Sequence, residues 1–170
     1  MKFGFKEQPT DYYLRPYWLS VYDSLSYSPT IFNSNPKPCY YDKLLHKLSF
    51  DWLRSFEDHY SNNSTKSNIG KFGIIKINEM SHDYLDRLFW IDDDLLSLLK
   101  DLFNKYNYLN NTLFILMGDH GHRFHPIRQT FIGKVEEKLP MFGMMVPKLL
   151  LNKNSYIKQN LIENTKSKFH

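Results

Sequence analysis

The hydrophobic positions of this 170-residue chain follow two spacings, and each spacing predicts a different kind of element. In residues 41–60 large apolar side chains recur every three or four positions, which predicts an amphipathic helix. The same spacing over residues 83–105 predicts a long helix, with Ser81 or Asp83 as its N-cap. Residues 72–77 and 112–117 are short, nearly unbroken apolar runs, which predicts two strands buried on both faces.

The order strand, helix, strand predicts a βαβ unit with a right-handed crossover. Two parallel strands deliver their carboxyl ends to one sheet edge, so residues 78–82 are expected near residues 119–122. The predicted fold class is therefore α/β, with a parallel-sheet βαβ core and helices on both faces. Ligands of such open sheets bind beyond the carboxyl ends of the strands, which makes this edge the expected site.

The rest of the chain gives weaker patterns. Residues 10–26 predict a helix with Pro16 near its first turn, and residues 27–39 predict a loop. Residues 123–140 are expected to be irregular, residues 141–146 to form a third strand, and residues 149–169 to form a polar helix that frays.

Composition supports a packed globular protein, since 42% of the residues are hydrophobic and 16% are aromatic. No apolar run reaches the roughly 18 residues that span a bilayer, and the first seven residues lack the apolar core of a signal peptide. The chain is thus expected to be cytoplasmic or to belong to something longer. The lone Cys39 cannot form an internal disulfide, and sequons at Asn62, Asn63 and Asn110 hint at a secreted origin.

The net charge of +4 comes from the end of the chain. Residues 148–170 contain five lysines and one glutamate, whereas the preceding residues carry 17 basic and 17 acidic side chains. A basic tail without a recognisable nucleic-acid motif argues against nucleic-acid binding. It leaves open a binding protein that uses this tail to hold acidic partners.

Asp119 and His120 directly follow the second predicted strand and are candidate metal ligands, with His82 at the same sheet edge as a third. Carboxylate and imidazole together suit zinc and similar ions. The alternative is an ordinary turn, in which Asp119, His120 and His122 satisfy local backbone groups. His82, taken alone, is more typical of a residue at a helix N-terminus.

Other charged residues have a structural alternative as well. Residues 92–94 are three aspartates that point in different directions on a helix, which favours a solvated acidic surface over a metal site. Arg123 and Arg128 could clamp an oxyanion, or they could pair with Glu136 or Glu137.

Several segments together resemble the DUF229 family, an animal branch of the alkaline phosphatase and sulfatase superfamily. The most specific segment is residues 111–124, NTLFILMGDHGHRF, and the resemblance extends over roughly residues 9–147. The smaller matching segments are residues 9–16, 81–83, 127–130 and 136–140, together with Gly133.

The resemblance implies a hydrolase of phosphate or sulfate esters that works at two divalent metals, with zinc expected, in the secretory pathway or outside the cell. Asp119 and His120 match the pair that binds the nucleophile's metal. His82 matches a histidine of the second metal, and Asn78 stands where that metal's aspartate is found. Asparagine carries no charge, so the second metal would be held more weakly.

The chain departs from the family pattern because nothing in it matches the segment with the nucleophile and the first metal-binding aspartate. Residues 1–170 are therefore expected to be the carboxy-terminal part of a sulfatase-like catalytic domain, inactive alone. The alternative is a non-catalytic interaction or structural remnant of the fold. Half of a large sheet would expose an unpaired strand edge, which predicts poor solubility.

Overall fold

A computed structural model describes residues 5–24, 39–61, 70–78, 80, 85–123 and 125–166. The chain combines helices with short strands, as the sequence predicts, and helices dominate it. The strands of the described residues form two small antiparallel sheets, β1 with β2 and β3 with β4. The helices are α1 (Arg15–Ser24), α2 (Leu45–Ser61), α3 (Phe89–Lys100), α4 (Tyr108–Asn111), α5 (Phe131–Lys138), α6 (Lys148–Lys153) and α7 (Ser155–Lys166), and the strands are β1 (Cys39–Tyr40), β2 (Lys43–Leu44), β3 (Phe114–Met117) and β4 (Phe142–Met145).

The predicted helices of the first two thirds of the chain form, with shifted ends. α1 and α2 occupy parts of residues 10–26 and 41–60, and a tight β1–β2 hairpin precedes α2. The predicted long helix is one nearly continuous run. It consists of a 3₁₀ turn (Asp86–Leu88), α3 and a π-helical turn (Asp101–Lys105).

The core lies where α2 packs against this run and against α4. Its apolar part consists of side chains from the facing sides of these helices. A spacing of three to four residues places the apolar side chains of each helix on one side of it. Its buried members are Phe50, Leu98, Leu102, Tyr106 and Tyr108.

Charged contacts line the same interface. The Arg54 guanidinium lies 2.6 Å from Asp101, and Lys105 lies 2.6 Å from Asp58. The carboxylate of Glu57 is only 4% exposed; it accepts hydrogen bonds from the Tyr108 hydroxyl at 2.7 Å and from Lys71 at 2.6 Å. A buried carboxylate is tolerated because both of its oxygens have charged or polar partners. Burial, followed by the hydrogen bond to Glu57, raises the pKa of Tyr108.

The strand predicted within residues 112–117 exists as β3, but it is not buried on both faces. Phe114 packs against the core, with its ring 5.7 Å from that of Phe103. On the other face Leu113, Ile115 and Met117 are exposed by 46–58%. The register pairs Ile115 with Met144 and Met117 with Phe142, so β4 extends this exposed apolar surface.

The strand predicted for residues 72–77 is wrong. Residues 70–78 have no regular secondary structure, and Phe72 and Ile74 are 80% and 76% exposed. The predicted parallel pairing is therefore absent from the described residues. In the described residues β3 pairs with β4, in antiparallel register. Residues 70–78 are held by side chains: Lys71 binds Glu57, and Ile77 packs against the core.

The prediction of irregular structure for residues 123–140 is also wrong in part. A 3₁₀ turn (Pro126–Gln129) leads into α5, whose N-cap Thr130 accepts a hydrogen bond from the Gly133 N–H at 3.0 Å. The third strand is confirmed as β4, and α6 and α7 occupy the predicted polar helix. Of the helices that the structure describes, none has the length and apolarity that crossing a membrane requires.

Candidate functional site

Two glycines hold the loop after β3 against the end of α5. The N–H of Gly118 donates to the Met141 carbonyl at 2.9 Å, and the N–H of Gly121 donates to the Glu137 carbonyl at 3.1 Å. A Cβ atom on Gly121 would lie 2.5 Å from the carbonyl oxygen of Glu136 and 2.5 Å from Cα of Glu137, so only glycine fits this approach. The two residues between these glycines, Asp119 and His120, are thereby presented at the end of β3.

A backbone contact sets the proton position of the His120 ring. Its Nδ1 lies 2.8 Å from the Gly121 carbonyl oxygen, and a carbonyl can only accept a hydrogen bond. Nδ1 therefore carries a proton, and in the neutral ring the lone pair is on Nε2. That Nε2 atom lies 3.8 Å from Oδ2 of Asp119.

The Asp119 carboxylate has two further partners. Its Oδ1 accepts the backbone N–H of His120 at 3.0 Å, and its Oδ2 lies 3.3 Å from Nζ of Lys76. Partial burial raises the pKa of Asp119, but the ammonium group of Lys76 and the backbone N–H of His120 outweigh it and hold the pKa below its ordinary value. The carboxylate is therefore ionised at neutral pH and can bind a cation.

Oδ2 of Asp119 and Nε2 of His120 are atoms of the kinds that bind divalent metals, and the distance between them is close to the distance between two ligand atoms on one ion. A tetrahedral ion with ligand bonds of 2.0–2.2 Å places its ligands about 3.4 Å apart, close to the observed separation of Oδ2 and Nε2. Histidine ligands typically donate their other ring N–H to a carbonyl or carboxylate, as His120 does here. The described residues contain no cluster of three or more histidine, cysteine, aspartate or glutamate side chains that could hold a metal.

The other two predicted ligands are not brought into a common site by what the structure describes. Asn78 is exposed and lies two residues after Lys76, on the segment that contacts Asp119. His82 falls outside the described residues. The four-residue ligand set therefore stays a prediction.

His122 makes a local backbone contact of the kind that the turn alternative predicts, and His125 makes a similar contact. The Nδ1 of His122 accepts the N–H of His125 at 3.0 Å, and the Nδ1 of His125 accepts the N–H of Ile127 at 3.2 Å. These bonds shape the chain between the β3 loop and α5.

The structure also shows which partners Arg128 and the aspartates of residues 92–94 have. The Nε of Arg128 donates to Glu137 at 2.6 Å, which confirms pairing with a glutamate for this residue. Asp94, the last aspartate of the acidic run, contacts Lys47 at 3.0 Å and the buried His46 ring at 2.7 Å. Asp94 thus contacts two side chains of α2, whereas Asp92 and Asp93 are exposed.

Sequence reasoning missed Lys76 as a partner of Asp119. The signal was available, because Lys76 lies two residues before Asn78 in the segment that was expected beside β3. It was overlooked because a lysine is no metal ligand.

A family model described as "Protein of unknown function (DUF229)" matches residues 1–168. No curated protein and no solved structure matches the chain.

Proposed function

Because the chain belongs to the DUF229 family, we propose that it carries one part of the metal centre of a phosphate or sulfate ester hydrolase. Asp119 and His120 are the residues of this part that bind a divalent ion, with zinc as the expected metal. Asn78 and His82 are assigned to a second ion. The resemblance to secreted hydrolases and the sequons favour the secretory pathway.

One observation supports the metal assignment most directly. The Gly121 carbonyl fixes the proton of His120 on Nδ1, so the Nε2 lone pair is available beside the ionised Asp119. The turn contacts and the ligand role are compatible, since the backbone bonds use Nδ1 and Oδ1 and leave Nε2 and Oδ2 for an ion.

In such hydrolases the bound metal lowers the pKa of the attacking group and stabilises charge on the ester oxygens. The contribution of this chain is to bind and orient. Gly118 and Gly121 fix the loop, Asp119 supplies negative charge, and His120 supplies a neutral nitrogen. No residue of the chain matches the family's nucleophile, so we propose that it does not turn over esters by itself.

Calorimetric titration with Zn²⁺ and Mn²⁺ tests the metal assignment. We expect wild type to bind about one ion, and Asp119→Asn and His120→Ala each to weaken binding by at least roughly tenfold, since each removes one of two ligands. His59→Ala, which alters an exposed histidine at the end of α2, is the matched control and should bind like wild type. Equal binding by all four proteins would refute the assignment.

Assays with chromogenic phosphate and sulfate esters test the catalytic part. We expect no turnover above the His120→Ala protein, with or without a chelator. Chelator-sensitive hydrolysis that exceeds this variant would show that the chain is a complete enzyme. Metal binding without hydrolysis would favour a partial catalytic domain, whereas loss of both would favour a non-catalytic remnant.

We propose in addition that β3 belongs to a larger α/β sheet with parallel strands and helices on both faces. The support is that β3 is apolar on both faces, while only the Phe114 face packs against the core. The exposed face of Ile115 and Met117 is the kind of surface that a second helical layer covers. Strong binding of a fluorescent apolar dye by the isolated chain is expected; a monodisperse chain that binds no dye would contradict the proposal.

A further inference from the structure

Lys76 and Asp119 form an ion pair at the atom that the metal assignment requires. Nζ of Lys76 lies 3.3 Å from Oδ2, the same carboxylate oxygen that lies 3.8 Å from Nε2 of His120. The lysine therefore stands at the oxygen that would bind an ion, while Oδ1 is occupied by the His120 backbone N–H.

An ammonium group and a divalent cation repel each other when both contact one oxygen, and water screens this repulsion only in part. A carboxylate with one cationic partner is also a weaker ligand for a second cation. Lys76 must consequently oppose binding of an ion to Asp119 for as long as it remains in place.

The structure allows Lys76 to leave without disturbing its neighbours. Its side chain is 64% exposed and that of Asp119 is 58% exposed, and exposed ion pairs of this kind are weak. The backbone on either side is anchored independently, through Lys71 to the buried Glu57 and through Ile77 to the core. Displacement thus requires rotation of one flexible side chain and no movement of the segment.

We propose that Lys76 and a divalent cation are alternative partners of Asp119, so that the lysine neutralises the carboxylate of the empty site and metal binding displaces it. The proposal rests on the metal assignment to Asp119 and His120. The lysine then regulates metal affinity, because it neutralises the carboxylate when no metal is bound. A singly charged ion gains little binding free energy when it replaces a lysine of equal charge. A divalent ion, which brings twice the charge, gains more.

Calorimetric titration with Zn²⁺ alone tests the exchange. We expect Lys76→Met to bind the ion roughly three- to tenfold more tightly than wild type, because the competing charge is gone. Lys76→Glu should bind more tightly still, and Lys76→Arg, which keeps the charge, should resemble wild type. The control is Lys158→Met on α7, which removes the same charge from an exposed helix and should leave the affinity unchanged.

Salt dependence gives a second measurement that does not depend on activity. Raising the salt concentration weakens the Lys76–Asp119 pair, so the advantage of Lys76→Met over wild type should shrink. A thermal melt of each variant without metal shows whether the fold is retained, and the comparison is made among variants that melt like wild type.

The outcomes separate the exchange from the metal assignment. If Asp119→Asn loses binding while Lys76→Met binds no more tightly than wild type, the exchange is refuted and the metal assignment stands. If Lys76→Met and Lys76→Glu bind more weakly than wild type, the lysine supports the site instead of competing for it, which also refutes the exchange. Absence of binding in wild type and in Lys76→Met refutes both.

Discussion

The helical core, formed by α2, α3, the π-helical turn and α4, differs from the sheet region, formed by β3, α5 and β4, in how each is held together. Within the described residues, every buried large hydrophobic side chain lies at or before Tyr108. The sheet region instead relies on backbone hydrogen bonds and on close approach of Gly118 and Gly121 to the chain around α5. The candidate metal residues lie in the second kind of region.

This contrast shows what each region contributes. Buried apolar contacts supply most of the free energy of folding, so the helical core is expected to dominate stability. Backbone contacts without a large core fix local geometry, which is what two adjacent candidate ligands would need. We therefore expect substitutions in the site to leave the chain folded.

The largest effect is expected for Leu102→Ala in the core. The side chain of Leu102 is fully buried, so its truncation removes apolar contacts and leaves a cavity, at a cost of about 2–5 kcal/mol in the free energy of unfolding. Denaturant unfolding measures the loss. Leu96→Ala, at a half-exposed position of α3, is the control and should cost well under half as much; equal losses would mean that the helical core does not dominate stability.

Gly121→Ala should produce the next largest effect, which combines a loss of zinc affinity with a loss of stability. The added Cβ would collide with the backbone of Glu136 and Glu137, which forces the loop away from α5. We expect at least a tenfold loss of Zn²⁺ affinity and a stability loss of about 1–3 kcal/mol. In the control Gly73→Ala, the Cβ meets no atom within 4 Å. Unchanged zinc affinity in Gly121→Ala would show that the glycine contact does not position Asp119 and His120.

A substitution on the exposed sheet face should change solubility more than stability. Ile115→Lys places a charge on a face that the structure leaves open, so unfolding should shift by less than about 0.5 kcal/mol while self-association falls. Light scattering at increasing concentration measures this. Phe114→Lys, on the face that packs against the core, is the comparison and should destabilise strongly. A large stability loss from Ile115→Lys would place this face in contact with other parts of the chain.

The smallest effect concerns the pKa of Asp119. The folded chain holds this pKa below its ordinary value, so the stability that the ionised carboxylate contributes is present above the ordinary carboxyl pKa and is lost as the pH falls through the folded value. Lys76→Met should raise the pKa of Asp119, measured by titration of its carboxyl signal in NMR spectra. The sign follows from the loss of the nearby positive charge, and an unchanged pKa would show that the ion pair is absent in solution.

The local pattern of apolar residues predicted the helices and strands better than it predicted which of them pair with one another. The spacing of apolar residues placed α2, the run through α3 and the strands β3 and β4 close to where the structure has them. It failed for residues 72–77, because an apolar run becomes a strand only when a neighbouring strand supplies hydrogen bonds. It missed α5, although Thr130 followed by Gly133 is a recognisable N-terminal cap.

The candidate site likewise has residues that the sequence indicates and a contact that only the structure shows. Asp119 and His120 could be singled out because a polar pair directly after an apolar strand is visible in the chain itself. Lys76 lies in the segment that the sequence predicts beside β3, but its contact with Asp119 joins residues 43 positions apart, and only the tertiary structure shows it. Asn78 and His82 as ligands, and hydrolysis of phosphate or sulfate esters, remain predictions of the family resemblance.

The amino-acid sequence by itself determined membership of DUF229, the main helices, two strands and the adjacency of the carboxylate and imidazole. These depend on spacings of a few residues, which backbone geometry converts directly into local structure. Only the tertiary structure decided that β3 pairs with β4, that Gly121 meets α5, that the imidazole proton lies on Nδ1 and that Lys76 reaches Asp119. Those features depend on which distant segments approach one another, and that choice is made by the packing of the whole chain.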